Sequence, residues 1–508
     1  MCGIAVQWND VDRVAGARML ERLAHRGPDD AGEMQIGAAW LGHTRLSIVD
    51  VPGGHQPLLT TDGTAAIAVN GEIYNHSALR SALGPVDWQT ESDSEVALEV
   101  LVADGPDGLH RLRGMFALAF TDGDSLLLAR DPVGIKPLYW ARSHGRVVAA
   151  SELKAFDVAL RPHVQAFPPG HCWSPERGLR RFASAVPGEL RVAAVDAPVE
   201  PAVEAAETAE THEEMVRDAL VRAVERRMMG DVPVGCFLSG GLDSSIVTAI
   251  AAGWMRRHGL RLQTFAVGTA GSPDLAAARV VADALDTDHH EAVCTAAEVR
   301  AVIPEAVRAI EHFDASLVRS AVANYLVARL AAAHVKVVLT GEGADELFGG
   351  YEYLRGEGLD DPSAFHAELV RSVDELHGLN LQRCDRVTMA HGLEARVPFL
   401  DLEVIEVVLS VPAGVKVPTP DRMEKDLLRR AFRGWVPEEI LWRTKAQFGD
   451  GSGVAGAHSL PTGREAPSGG PGLGPRLRTA EELYYYEIWS EALSPIRPEA
   501  TLSRFVTA

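Results

Sequence analysis

A cysteine stands directly after Met1 in the opening run MCGIAV. Removal of the methionine would leave Cys2 with a free α-amine, of pKa about 7.7–8, beside its own thiol. The amine can take the thiol proton, so one residue supplies both nucleophile and base. A small residue opening an edge strand explains Cys2 equally well when it is considered alone. Polar turns follow in HRGPDDAG (25–32), GHTRLSIVD (42–50), VNGEIYN (69–75) and TESDSEV (90–96), each offering Arg, Asn, Glu or Asp.

A second constellation, SGGLDSS (239–245), lies between an apolar run and a helix-like one. Two glycines let backbone amides approach an anion, and serine hydroxyls can join them at the positive end of a helix. A Walker loop requires GxxxxGK[ST], and no lysine is present here. The set suits pyrophosphate, the group released when ATP activates a carboxylate as an acyl-adenylate. A plain Gly/Ser turn accounts for SGG but poorly for the whole heptad.

The elements that must position these residues fall into two kinds. Up to about residue 185, short β-type runs (MCGIAV, AAWLGHTRLSIVD, TAAIAVNGEIYN, MFALAFTDGDSLLLARD, RVVAAS) alternate with Gly/Pro/Asp turns. They predict an α+β domain of layered antiparallel sheets over 2–188. The Ala/Pro/Val/Glu-rich text over 189–211 reads as a linker. Over 212–508 strand and helix patterns alternate: EMVRDALVRAVERRMMG, VGCFLSG, SSIVTAIAAGWMRRHG, LQTFAVG, PDLAAARVVADALD, VKVVLTGEGADE. That alternation predicts an α/β doubly wound parallel sheet, with ligands at the strand C-termini. The Gly/Pro/Ser-rich stretch 451–477 reads as a mobile loop.

The 508 residues exceed one ordinary core, and 46% hydrophobic with 23% charged residues is a globular composition. A net charge of −21 argues against nucleic-acid or anionic-membrane partners, which need basic patches. Five scattered cysteines without a CxxC pair suggest neither zinc site nor disulfide framework. With no apolar run near the ~18 residues that span a bilayer and no signal sequence, the expected location is cytoplasmic. His289–His290 lacks zinc-ligand spacing and reads as structural.

Taken in order, the N-terminal segments resemble those of the N-terminal-nucleophile glutamine amidotransferases, specifically the glutaminase half of glutamine-hydrolysing asparagine synthetases. The resemblance implies that Cys2 forms a thioester with glutamine. Arg45 and Ile48 would hold the substrate, Arg45 through its α-carboxylate. Glu72 and Asp93 would hold the α-ammonium. The Asn70 side chain and the Gly71 N–H would form the oxyanion hole.

SGGLDSS resembles the pyrophosphate loop of ATP-pyrophosphatases. FAVGTAGSPDL, LTGEGADELFGGYEYL, NLQRCDRVTMAHGLEARVPFLD, RMEKDLLRRAF, WRTKAQFGDG and ELYYYEIW match the synthetase half of the same family. ATP would then lie on Leu238, Ser239, Gly240, Gly241, Asp243, Ser244, Ser245, Val267, Thr340 and Gly341. Asp243 and Asp345 would bind Mg²⁺. Glu342 would line the acyl-adenylate and could accept a proton from ammonia, with Lys445 stabilising negative charge. DRVTMAHGLEARVPFLD could form the interface between domains, where ammonia must pass.

The expected activity is glutamine- and ATP-dependent amidation of a carboxylate, with L-aspartate to L-asparagine the first candidate. The partners are small molecules, and a homodimer is compatible with the reading. One segment departs from the family pattern. In EHFDASLVRSAVANYL (311–326) Ser316 and Arg319 keep the chemistry of the acceptor site, but Leu317 replaces a hydroxyl residue and Ala321–Val322–Ala323 replaces small polar ones. KAQFGDG likewise carries Ala446 and Gly449 where a glutamate and a serine are expected. Loss of polar partners would suit a different carboxylic acid, or a nitrogen nucleophile other than ammonia. Drift at tolerant positions is the other account.

Overall fold

The computed structural model describes residues 2–192, 202–355, 359–419, 421–445, 451–457 and 477–505, the side chains of 202–210 excepted. The N-terminal part holds two six-stranded antiparallel sheets. One runs Val164–Ala166, Tyr139–Ser143, Arg146–Ala150, Gly3–Trp8, Ala39–Arg45, Asp30–Ile36 in spatial order. The other runs Gly178–Arg181, His171–Ser174, Leu126–Arg130, Gly114–Thr121, Ala66–Ile73, Leu58–Leu59.

Period-two side-chain alternation explains how the sheets stack. Ile4, Val6 and Trp8 join Ala66, Ala68, Ala117 and Ala119 in the core between the sheets. Ala5 points the other way, towards Met19 and Leu23 of the helix Arg13–Leu23. Ile67, Val69 and Ile73 face Val96, Val100 and Leu101 of the helix Asp93–Asp104. The result is a helix–sheet–sheet–helix sandwich, as the sequence predicts.

The second part is built on a five-stranded parallel sheet. Val234–Phe237 is central, between Gln263–Thr269 and Val337–Leu339, with Asp288–Cys294 and Glu394–Arg396 at the edges. Strand order reverses across Val234–Phe237, so the crevice beyond its C-terminal end is where ligands bind in such sheets.

Two stretches differ from their expected description. The helix Ala202–Arg226 begins inside the segment read as a linker. Residues 451–457 are docked against the parallel sheet and do not form part of a loose loop. The Thr269 N–H donates to the Ser452 carbonyl at 2.8 Å, and Ser272 Oγ to the Gly451 carbonyl at 2.9 Å. The rest of that expected loop, to residue 476, lies outside the described residues, as do Ala446 and Gly449.

A set of buried charged side chains meets at the contact between the two parts. Arg26 and Glu152 from the first meet Asp385, Arg386 and Glu311 from the second, all five buried. Glu311 accepts the backbone N–H groups of Leu153 and Lys154 at 2.8 and 2.7 Å, and Arg386 donates to the Ser151 carbonyl at 2.8 Å. A buried ionic interface has geometric demands that apolar packing lacks, because an unpaired charge there is costly. The segment DRVTMAHGLEARVPFLD lies at this contact, as expected.

Candidate active sites

Cys2 opens the strand Gly3–Trp8 and is buried, 7% exposed. Its backbone N–H donates to Asn70 Oδ1 at 3.2 Å, which orients the Asn70 amide. Asn70 Nδ2 is buried and has no protein acceptor among the described residues. Such an orphan donor beside a nucleophile is what an oxyanion requires. Gly71, next on the strand, must be glycine: a Cβ would lie 2.0 Å from the Met115 carbonyl oxygen. Burial pushes the Cys2 thiol above its ordinary value, and the positive N-terminus acts in the opposite direction.

Arg45 ends the strand Ala39–Arg45, with its guanidinium in the turn that follows. It donates to the carbonyls of Val49, Asp50 and Val51 at 3.1, 2.7 and 3.1 Å. Three bonds leave part of its five-donor fork for a carboxylate. Ile48 is buried in the same turn, and its carbonyl accepts the Asp231 N–H at 2.8 Å, tying the turn to the second part.

Glu72 and Asp93 are both buried. Asp93 caps the neighbouring strand by accepting the Ile73 N–H at 2.6 Å. Burial, reinforced by Glu394, pushes the Asp93 carboxyl up to about 6. Burial, with Glu394 and Asp93 adding repulsion, raises Glu72 well above the ordinary carboxylate range. A cluster of carboxylates under such pressure is completed by a cationic ligand, such as an α-ammonium. Glu394 and Arg396 come from the edge strand of the parallel sheet, and sequence reasoning did not assign them. Arg396 donates to Glu394 at 2.6 Å and lies 3.5 Å from Glu72.

The second site occupies the expected crevice. A cavity of about 920 Å³ is lined by Leu238, Ser239, Gly241, Asp243, Ser244, Ser316, Arg319, Thr340, Gly341, Glu342, Asp345 and Lys445, among others. Gly240 (φ +71°) turns the chain against the next helix, where a Cβ would meet Ala277 at 2.6 Å. At Gly341 a Cβ would press on Asp243 Cβ at 2.8 Å, so this glycine lets the two loops approach. Ser245 Oγ donates to the Gly241 carbonyl at 2.7 Å, and Ser239 and Ser244 share a hydroxyl bond of 3.0 Å. Gly240, Ser245 and Val267 shape the loop and the core behind it and are not on the cavity wall.

Lys425 is a further residue that the sequence did not single out, although RMEKDLLRRAF contains it. Its Nζ bridges Asp243 and Asp345 at 2.6 and 2.5 Å. Lys445 also reaches Asp345 at 2.5 Å and the Gly350 carbonyl at 2.8 Å. Burial opposes ionisation of Asp345, yet Lys425 and Lys445 hold its carboxyl well below the ordinary range. Burial dominates at Asp243 and raises it. Two converging carboxylates, with Asp243 Oδ1 buried and without a hydrogen bond among the described residues, would suit a divalent cation only if phosphate oxygens completed its shell, since no third acidic or His/Cys side chain joins them among the described residues.

On the acceptor side, Glu342 pairs with Arg383, which donates to Ser320 Oγ at 2.9 Å. Arg319 reaches the cavity with its guanidinium held by Glu481 at 3.1 Å. The departures from the family pattern that fall on the same helix as Arg319 lie elsewhere. Leu317, Ala321, Val322 and Ala323 are fully buried in the hydrophobic core, on the helix Ala315–Ala331. Polar Ser316, Arg319, Ser320 and Asn324 of that helix face the cavity. His289 bonds to Thr264 Oγ1 at 2.9 Å and His290 stacks on Phe265, consistent with structural roles.

An antiparallel sandwich opening on Cys2, joined to a parallel sheet with a Ser/Gly loop at its switch point, defines a two-site amidotransferase. The comparisons agree. A family model described as "Glutamine amidotransferase domain" matches residues 1–167, and one described as "Asparagine synthase" matches 215–360 and 357–461. Asparagine synthetase [glutamine-hydrolyzing] 2 of Arabidopsis thaliana is 40% identical over 90% of this chain and 80% of its own length. The enzyme of Asparagus officinalis is 37% identical over 97% of this chain and 86% of its own. A probable asparagine synthetase of Schizosaccharomyces pombe is 35% identical, covering 100% and 96%. The chain belongs to the glutamine-hydrolysing asparagine synthetase family.

Proposed function

We propose that this chain makes L-asparagine from L-aspartate, glutamine and ATP, with residues 2–188 as glutaminase and 212–508 as synthetase. The Cys2 thiolate, its proton taken by the freed α-amine, attacks the glutamine carboxamide carbon. Asn70 Nδ2 and the Gly71 N–H hold the oxyanion. Ammonia leaves with the proton from the α-amine, and water releases glutamate from the thioester. Arg45 and Ile48 hold the substrate, with Glu72 and Asp93 on its α-ammonium.

In the cavity an aspartate carboxylate oxygen attacks the α-phosphorus of ATP and pyrophosphate departs. Ammonia then attacks the acyl carbon, AMP leaves, and Glu342 takes the surplus proton. Asp243 and Asp345 would hold Mg²⁺, which would neutralise charge on the phosphates. Lys445 and Lys425 supply fixed positive charge beside them. Free buried thiols and the absence, among the described residues, of a helix long and apolar enough to cross a membrane are compatible with a cytoplasmic enzyme.

The observation that carries aspartate as acceptor is the cavity wall itself. Ser316, Arg319, Ser320, Glu342 and Arg383 give a small zwitterion charged and hydroxyl partners, while the altered residues Leu317 and 321–323 belong to the core. A larger, less polar acid is therefore not favoured. The test is AMP and pyrophosphate release with ATP, Mg²⁺ and glutamine, with and without L-aspartate. Aspartate-dependent AMP matched by asparagine supports the reading. Glutaminase activity without aspartate-dependent AMP overturns the acceptor.

A further inference from the structure

The backbone of Cys2 is held by Arg26 of its own half, and Arg26 is gripped in turn by the other half of the molecule. Arg26 Nε donates to the Cys2 carbonyl at 2.9 Å. The far end of the same guanidinium makes a two-pronged contact with Asp385, at 2.8 and 3.2 Å, and a third bond to Glu152 at 2.7 Å. Arg26 is fully buried and Asp385 is 3% exposed, with Lys136 Nζ 4.0 Å from the same carboxylate. A planar fork bound on three sides has almost no freedom, so the position of Asp385 sets the position of the Cys2 carbonyl.

Asp385 lies on the helix Asn380–Met389, all ten residues of which are buried. Two residues earlier the same helix carries Arg383, paired with Glu342 in the second site. Residues two apart on a helix point in nearly opposite directions, about 200° around the axis. One rigid element thus touches the nucleophile's anchor on one face and the acyl-adenylate site on the other.

We propose that Asp385 is a positioning residue for the Cys2 nucleophile, acting through Arg26, so that the glutaminase site is completed by the synthetase half. The proposal rests on the assignment of Cys2 as the nucleophile. Attack geometry is sensitive to displacements of about 1 Å, which can cost on the order of 100-fold in rate. Asp385 does not touch the glutamine-binding side chains Arg45, Glu72 or Asp93, so its loss should act on turnover and not on affinity.

The test uses the full chain carrying Asp385→Asn, assayed for glutamine hydrolysis and for ammonia-dependent AMP formation. The expected result is a fall of about tenfold or more in glutaminase kcat, with KM for glutamine and ammonia-dependent activity each within about twofold. Asp385→Glu, which keeps the charge, should recover part of the loss. Because removing a buried charge can impair folding, Arg26→Lys is measured in parallel. It keeps the positive charge but cannot hold the carboxylate and the Cys2 carbonyl together, and it should show the same kcat-selective loss. Unchanged glutaminase kcat in either folded variant overturns the proposal, as does an equal fall in the two activities. Cys2→Ala separates the premise: retained glutamine hydrolysis in that variant would refute the nucleophile itself, whatever the Asp385 variants do.

Discussion

Arg396, on the edge strand of the parallel sheet, places its guanidinium 3.5 Å from the carboxylate of Glu72, on a strand of the N-terminal sandwich. It also holds Glu394 at 2.6 Å and donates to the Arg227 carbonyl at 2.6 Å. The neighbouring strand, Val337–Leu339, ends in Thr340, Gly341 and Glu342 of the second site. Adjacent strands of one sheet therefore serve different sites.

Arg396→Met removes the cation that offsets Glu72 and Glu394. Both carboxylates then become harder to ionise at neutral pH. KM for glutamine should rise about tenfold or more, and stability should fall by roughly 3–5 kcal/mol, the usual cost of breaking a buried pair. Steady-state glutaminase assays and a denaturant melt check both.

The pH dependence of glutamine binding follows from Asp93, whose carboxyl titrates at about 6. Below that value it carries a proton and cannot pair with an α-ammonium. KM for glutamine should therefore increase as pH falls through about 6, with the raised Glu72 carboxyl adding to the same trend. Asp93→Asn should give a high KM with a weakened pH dependence. A KM profile from about pH 5 to 8 tests this.

Lys425→Met should leave Asp243 and Asp345 facing each other without their shared cation. We expect AMP formation to fall by about 100-fold or more, on the scale of losing one electrostatic stabiliser. Glutamine hydrolysis, in the other half, should change by less than about twofold. Separate assays of the two half-reactions decide it.

Leu317 provides a test of acceptor specificity. Leu317→Ala should destabilise the protein by roughly 2–5 kcal/mol, as expected for a buried leucine. It should leave KM for aspartate within about twofold, because the side chain lies in the core. A selective change in acceptor preference at full stability would place Leu317 in the pocket after all.

Local chemistry was the legible part. SGGLDSS, GEGADE and the Asn70–Gly71–Glu72 run are contiguous, so their spacing carries the site directly. Longer strands such as Gly3–Trp8 and Ala66–Ile73 also show in the alternation, whereas Asp30–Ile36 and His171–Ser174 escaped notice. None of the seven residues of the first is buried, and the second is only four residues long. What remained hidden depends on distance along the chain. Arg26 and Asp385 are 359 positions apart, and no local pattern announces their contact. Lys425 reads as one charge among several in RMEKDLLRRAF until the fold sets it between two aspartates.

The acceptor segment left two readings open for a related reason. The helix Ala315–Ala331 is apolar on most sides, so periodicity does not reveal which face meets the cavity. Leu317 and Val322 looked like lost polar partners when they are core residues. Ser316, Ser320 and Asn324, spaced four apart, mark the face that matters.

The most direct test of two cooperating sites is asparagine formation by Cys2→Ala with glutamine or with ammonia as nitrogen source. The account predicts that glutamine-dependent synthesis disappears while ammonia-dependent synthesis stays within about twofold of the unaltered protein. Equal loss of both activities in a variant that still folds would contradict the division of labour between Cys2 and the ATP site.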